Sequence, residues 1–223
     1  EMTWQDFADG DTRQWIAVLP VSATEQHGPH LPVGVDAMIG RAYLAHVRPI
    51  LPKDLPVTFL PLQDFGVSAE HTAYPGTISI SAQSMIPVWL EIGESTARTG
   101  IRKLVLVTSH GGNVATLDVV ARELRVRHGM LAVTTAWQNF GYPDGTFDPR
   151  EQKHGIHAGG VETVEVAEHV VLEAQLAQRH RPLPIRRRRL IGQVRQPHRH
   201  QRPQPIPTAH THTLSSTNRF VQA

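Results

Sequence analysis

Cysteine is absent from the 223-residue sequence. Its absence excludes disulfide bridges, thiolate-bound zinc and cysteine nucleophiles, so any metal has to be held by histidine, aspartate and glutamate. Also lacking is an apolar run near the ~20 residues that a membrane span needs. The opening EMTWQDFADG has neither the basic start nor the apolar stretch of a secretion signal, so no membrane partner and a cytoplasmic location are expected. The first residue is Glu1 rather than Met, as in a fragment of a longer chain. Acidic residues are missing after Glu173. All 20 of them lie in 1–173 with 12 of the 22 basic residues, which gives that part a formal charge of −8 and residues 174–223 a charge of +10. The overall pI of about 9.3 therefore says nothing about nucleic-acid binding by the body of the chain.

The length suits one α/β core. Apolar, β-branched runs bounded by turn residues predict buried strands at Trp15–Val21, Val57–Leu62, Lys103–Ser109 and Met130–Ala136. Helices are predicted between them, over 37–50, over 82–99 behind a Ser81 cap, and over 114–128 behind an Asn113 cap. Strands alternating with helices of this length imply an α/β fold whose sheet is mostly parallel and covered on both sides. Chemistry in such sheets collects at the carboxyl ends of strands. WIAVLPV leads to Glu25 and His27 there, and KLVLVTS leads into His110.

Residues two apart in an extended segment point the same way, so Glu25 and His27 can share a pocket while Gln26 faces elsewhere. Asp36 follows a loop containing Pro29, Pro32 and Gly34 that can fold the chain back. Its two carboxylate oxygens can bridge ions ~3.5–4 Å apart. His110 then adds a ligand from another strand, and the amides of Gly111 and Gly112 can hold a developing oxyanion. Each residue alone is more often a solvated or turn residue; the combination favours a metal centre. In GVSAEHTAYPGT (66–77), Ser68, Glu70 and His71 stand where a substrate can reach them, although a turn with a capping network fits equally well. In HGIHAGGVET (154–163), His157 and Glu162 can shuttle protons or complete the metal shell, and His154 is read as solvated or supporting.

EQHGPHLP with Asp36, GxSxEHxxYPGT, SHGGN (109–113) and HAGGVET (157–163) resemble the creatininase (creatinine amidohydrolase) family, over roughly residues 2–168. The resemblance implies a three-layer α/β/α sandwich, a homo-oligomer such as a hexamer, and hydrolysis of a C–N bond in an amide, cyclic amide or formamide. It implies two divalent ions per subunit, of Zn, Mn or Fe. Glu25 and His110 would bind one ion, His27 the other, Asp36 both, and His157 would transfer protons. In creatininase itself the position of Gly112 is a glutamate ligand; its replacement argues against creatinine as substrate, and Glu162 is the carboxylate expected to compensate. Family members also include a deformylase of a pyrimidine nucleotide, a mycofactocin precursor peptidase and sugar-ring hydrolases.

Residues 178–223 read differently from the 1–177 body, with abundant Arg, His, Pro and Gln and no lysine. Two readings stand for this stretch. It is either a basic arm, the only part expected to bind nucleic acid, or the product of a shifted reading frame in a GC-rich gene, which would leave the chain an inactive or damaged relative.

Overall fold

The computed structural model describes residues 2–155 and 157–167. The chain separates into two units, Glu1–Arg181 and Pro182–Ala223, and every described residue belongs to the first. The expectations for 178–223 therefore lie outside the described residues.

Four parallel strands form one sheet in the order β2-β1-β3-β4, with β1 at Ile16–Val21, β2 at Val57–Phe59, β3 at Lys103–Thr108 and β4 at Leu131–Ala136. β1 and β3 pair in register from Ile16 against Lys103 to Val21 against Thr108. β2 is shorter than its apolar run. Leu60 still donates to Val18 O at 2.9 Å, but the next donor to β1 is Gln63, to Pro20 O at 3.0 Å, where Leu62 would continue the register, so one extra residue interrupts the regular pairing of this edge strand.

Helices α1 (Trp4–Asp9), α2 (Val35–Ile50), α3 (Ala82–Arg98), α4 (Val114–His128), α5 (Pro149–His154) and α6 (160–167) complete the described fold. Ser81 caps α3, accepting from Ser84 N. Asn113 does not cap α4 with its side chain, which is engaged elsewhere. α1 lacks an apolar stripe long enough to be foreseen; a capping box between Thr3 and Asp6 starts it.

The core places Ala17, Leu19, Leu104, Leu106 and Ala132 from alternate strand positions against Met85, Trp89, Leu117, Val120 and Leu124 of α3 and α4. α2 and α6 form a second cluster through Val35, Ile39 and Val166, which gives the three-layer α/β/α arrangement. β1 leads through α2 to β2 on one side, whereas β2 leads through α3 to β3 on the other side of β1. The connections diverge at the carboxyl ends of β1 and β3, and a crevice opens there.

Candidate metal centre

Glu25 and His27 follow β1 and are 1% and 0% exposed. Glu25 N donates to Val33 O at 2.8 Å, closing a loop in which Gly28 takes φ +71°. A side chain rarely adopts that conformation, so glycine suits the turn. The loop delivers Asp36, 2% exposed, into the first turn of α2.

His110 arrives from the end of β3. Its Nε2–H donates to Val67 O at 2.9 Å, which aims Nδ1 at Glu25 Oε1 (3.1 Å) and Asp36 Oδ2 (3.5 Å). His27 Nδ1–H donates to Glu25 O at 3.1 Å, leaving Nε2 toward Asp36 Oδ1 (3.5 Å) and Glu162 Oε1 (3.8 Å). Asp36 thus turns one oxygen to each histidine. His27 Nε2 and Asp36 Oδ2 are buried without a hydrogen-bond partner among the described residues. Burying such atoms unpaired costs ~1–3 kcal/mol each, so the centre asks for something to satisfy them. Donors 3.1–3.8 Å apart suit neighbouring ligands of one ion at bond lengths of ~2.0–2.3 Å. Glu25, His27 and Asp36 form one group able to hold a cation, and His27, His157 and Glu162 form another.

Proton affinities reflect the same crowding. Burial opposes a charged His110, yet the hydrogen bond to Glu25 and the charges of Asp36 and Glu25 prevail and push it up to about 9. His27 is raised in the same sense, burial being outweighed by Asp36. Burial would raise Glu25, but His110 and Ser68 bring it below the usual carboxylate value. Burial lifts Asp36 and Glu162 above theirs.

A second layer holds these groups in place. Ser68, fully buried, donates through Oγ to Glu25 Oε2. Ser109 Oγ donates to Asp36 O at 2.7 Å, and Asn113 accepts from Val67 N at 2.9 Å while donating to Ser22 O at 3.0 Å. Asn113, read from sequence as a helix cap, instead clamps the 66–68 segment against the ends of β1 and β3. Ser68, read as a substrate contact, sits beneath Glu25.

A cavity of about 500 Å³ opens above the centre, lined by Glu70, His71, Gly111, Gly112, His157 and Glu162 among others. A Cβ on Gly112 would come within 2.6 Å of Val67 O and 2.7 Å of Glu70 Oε1, and closer still to His110 Nε2. His157 donates through Nε2 to Gln26 O and points Nδ1 at Glu25 Oε1, 3.7 Å away. Its ring lies between those of His27 and His71, with centroids 4.2 and 4.3 Å apart. Ala158 N donates to Glu162. His154 is exposed at the end of α5 and does not line the cavity. Gln138, Tyr142, Glu151 and Glu165 also form its wall, and nothing in their spacing marks them in the sequence.

The family model for creatininase, described as creatinine amidohydrolase, matches residues 1–212. The chain belongs to the creatininase family. That match runs beyond residue 168, the rough limit of the resemblance read from the sequence motifs. Among curated relatives, the mycofactocin precursor peptide peptidase of Mycobacterium ulcerans (strain Agy99) is 36% identical over 74% of this chain and 62% of its own length. The creatinine amidohydrolase of Pseudomonas putida is 30% identical over 56% of this chain and 50% of its own. The chain thus spans less than two thirds of the length of these relatives. A solved structure named "Creatininase Mn" superposes with a TM-score of 0.52 at 25% identity, covering 73% of this chain and 68% of that one. No helix among the described residues is long and apolar enough to cross a membrane.

Proposed function

We infer that this creatininase-family chain is a hydrolase of C–N bonds that works with two divalent ions. The observation that carries the reading is Asp36, buried with one oxygen toward His27 Nε2 and the other toward His110 Nδ1, while both His27 Nε2 and Asp36 Oδ2 lack partners among the described residues. In this reading Glu25 and His110 would hold one ion and His27 and Glu162 the other, with Asp36 available to both. Zn, Mn and Fe all suit these donors. Bound there, the ions supply a water acidified toward neutrality and a Lewis acid for the carbonyl.

The chain's own groups do the rest. His157, held at Nε2 by Gln26 O, keeps Nδ1 beside the centre, where it takes a proton and returns it to the leaving nitrogen. Glu162 shares in this transfer from the edge of the metal site. Gly111 and Gly112 line the cavity, where their amides would stabilise negative charge on the carbonyl oxygen. Glu70 and His71 meet the substrate at the cavity mouth; Ser68 serves it by holding Glu25.

Among the described residues no Lys or Arg lines the cavity, whereas Glu70, Glu151 and Glu165 do. That disfavours a nucleotide or another anion. The 36% identity to a peptidase and the replacement of creatininase's glutamate by Gly112 favour a linear peptide amide over creatinine. The same reading takes 1–177 as the metallohydrolase domain, 178–223 as a basic appendage, and the working form as a cytoplasmic homo-oligomer. β4, at one edge of the described sheet, leaves Leu131 (62%) and Val133 (44%) exposed, which supports the oligomeric reading.

Elemental analysis of the purified chain, with assay against lactams, formamides and short peptides, tests the proposal. Stoichiometric divalent metal that is lost in Asp36→Ala together with hydrolysis is expected; a metal-free, inert protein sinks the reading.

A further inference from the structure

Gln26 lies between two of the candidate metal ligands and faces away from them, yet four of its polar groups are engaged. Its backbone N–H donates to Thr77 Oγ1 at 3.1 Å, and its carbonyl accepts from His157 Nε2. Its side-chain Oε1 accepts from Gly28 N at 2.9 Å, and its Nε2 stands 3.0 Å from His71 Nδ1. The Gly28 amide can only donate, so the oxygen of the Gln26 amide must point to it. The NH2 group is thereby directed at His71 and can only donate in turn. His71 Nδ1 has to be the acceptor, and in a neutral ring the proton is then on Nε2.

Gln26 sets the polarity of His157 as well. Its backbone carbonyl accepts from Nε2–H, so in the neutral ring Nδ1 is the nitrogen that carries the lone pair. The two imidazoles lie in contact on one wall of the cavity, centroids 4.3 Å apart and planes tilted by 32°, and present opposite faces of acid–base chemistry.

We propose that Gln26 is the positioning residue for this pair. It fixes His71 as the Nε2–H tautomer, which offers an N–H to an acceptor atom of the substrate, and leaves His157 an Nδ1 lone pair toward the same cavity. The substrate is thus a molecule that presents a carbonyl oxygen or a nitrogen lone pair on the His71 side. That part rests on the hydrolase reading, whereas the tautomer assignment stands without it.

The test is a long-range nitrogen–proton NMR spectrum of the histidine rings in the full chain loaded with Zn2+, which is diamagnetic, with His71 identified by the signal that vanishes in His71→Gln. The parent protein is expected to show His71 Nδ1 unprotonated and Nε2 protonated. In Gln26→Glu the side chain can no longer donate, and a proton is expected on His71 Nδ1 while zinc per chain stays at the parent level. A proton on Nδ1 in the parent overturns the proposal, even if the variant fails to fold. So does an Nδ1 that stays unprotonated in folded Gln26→Glu. A parent chain that takes up no zinc yet shows the expected tautomer would sink the hydrolase reading and leave the role of Gln26 standing.

Discussion

At the residue scale, the candidate centre depends on atoms whose partners lie in distant parts of the sequence. His110 is aimed by Val67 O, and Glu25 is held by Ser68. Such outer partners typically contribute 10–100-fold in metal affinity. Ser68→Ala should therefore weaken metal binding about tenfold or more without unfolding the chain, measured by competition with a chromophoric chelator. Gly112→Ala should do the same, because its Cβ would meet Val67 O at 2.6 Å and press on the His110 ring. An unaltered affinity in both would show that the Val67 segment does not support the centre. Protons compete with the ion. His110 is raised to about 9, so at neutral pH its imidazole is charged and must lose a proton to become a ligand. Metal uptake at pH 7 should release protons, and apparent affinity should rise with pH until about 9; calorimetry in buffers of different ionisation enthalpy reads this directly. For folding without metal the sign is opposite. A pKa raised from 6.5 favours the folded chain fully below about 6.5, and that contribution disappears as pH climbs through about 9.

At the element scale, β1 and β3 matter most because they are central in the described sheet and lead into the candidate ligands Glu25, His27 and His110. Leu106 is fully buried between β3 and the α3–α4 layer. Leu106→Ala should cost ~2–5 kcal/mol of stability, read as a shift in a urea or thermal midpoint. Ser81→Ala removes the cap of α3 and should cost ~0.5–2 kcal/mol while leaving the centre intact. The strands and the three long helices are legible in the sequence because apolar runs and 3.6-residue stripes are local properties. The end of β2 is not, since the pairing with β1 slips by one residue between the Val18/Phe59 and Val21/Gln63 pairs, a shift set by the partner strand that the apolar run does not mark. Asn113 misleads for a related reason. Its place before α4 looks like a cap, but buried groups on Val67 and Ser22 compete for the same side chain.

At the scale of the whole molecule, the charge asymmetry separates two kinds of chemistry. The 1–173 body at −8 is expected to avoid nucleic acid, so any binding should follow the +10 stretch 174–223. Substituting Arg186, Arg187, Arg188 and Arg189 by Gln should abolish DNA affinity if the stretch acts as a basic arm, and any residual binding should show a salt slope shallower by ~0.9 for each phosphate no longer neutralised. Full-strength binding that survives the change would contradict an arm of that kind. What the sequence determined by itself was the α/β class, the positions of Glu25, His27 and His110 just past strand ends with Asp36 after the loop that follows, and the exclusion of thiolate chemistry. These follow from composition and local periodicity. Tertiary structure alone decided which oxygen of Asp36 faces which histidine, that Ser68 lies under Glu25, and that Gln26 holds His71 and His157. The last two relations join residues 43, 45 and 131 positions apart, and no local pattern encodes a pairing across such a distance. They exist because parallel strands bring their carboxyl ends together, and buried polar groups then have to satisfy one another there.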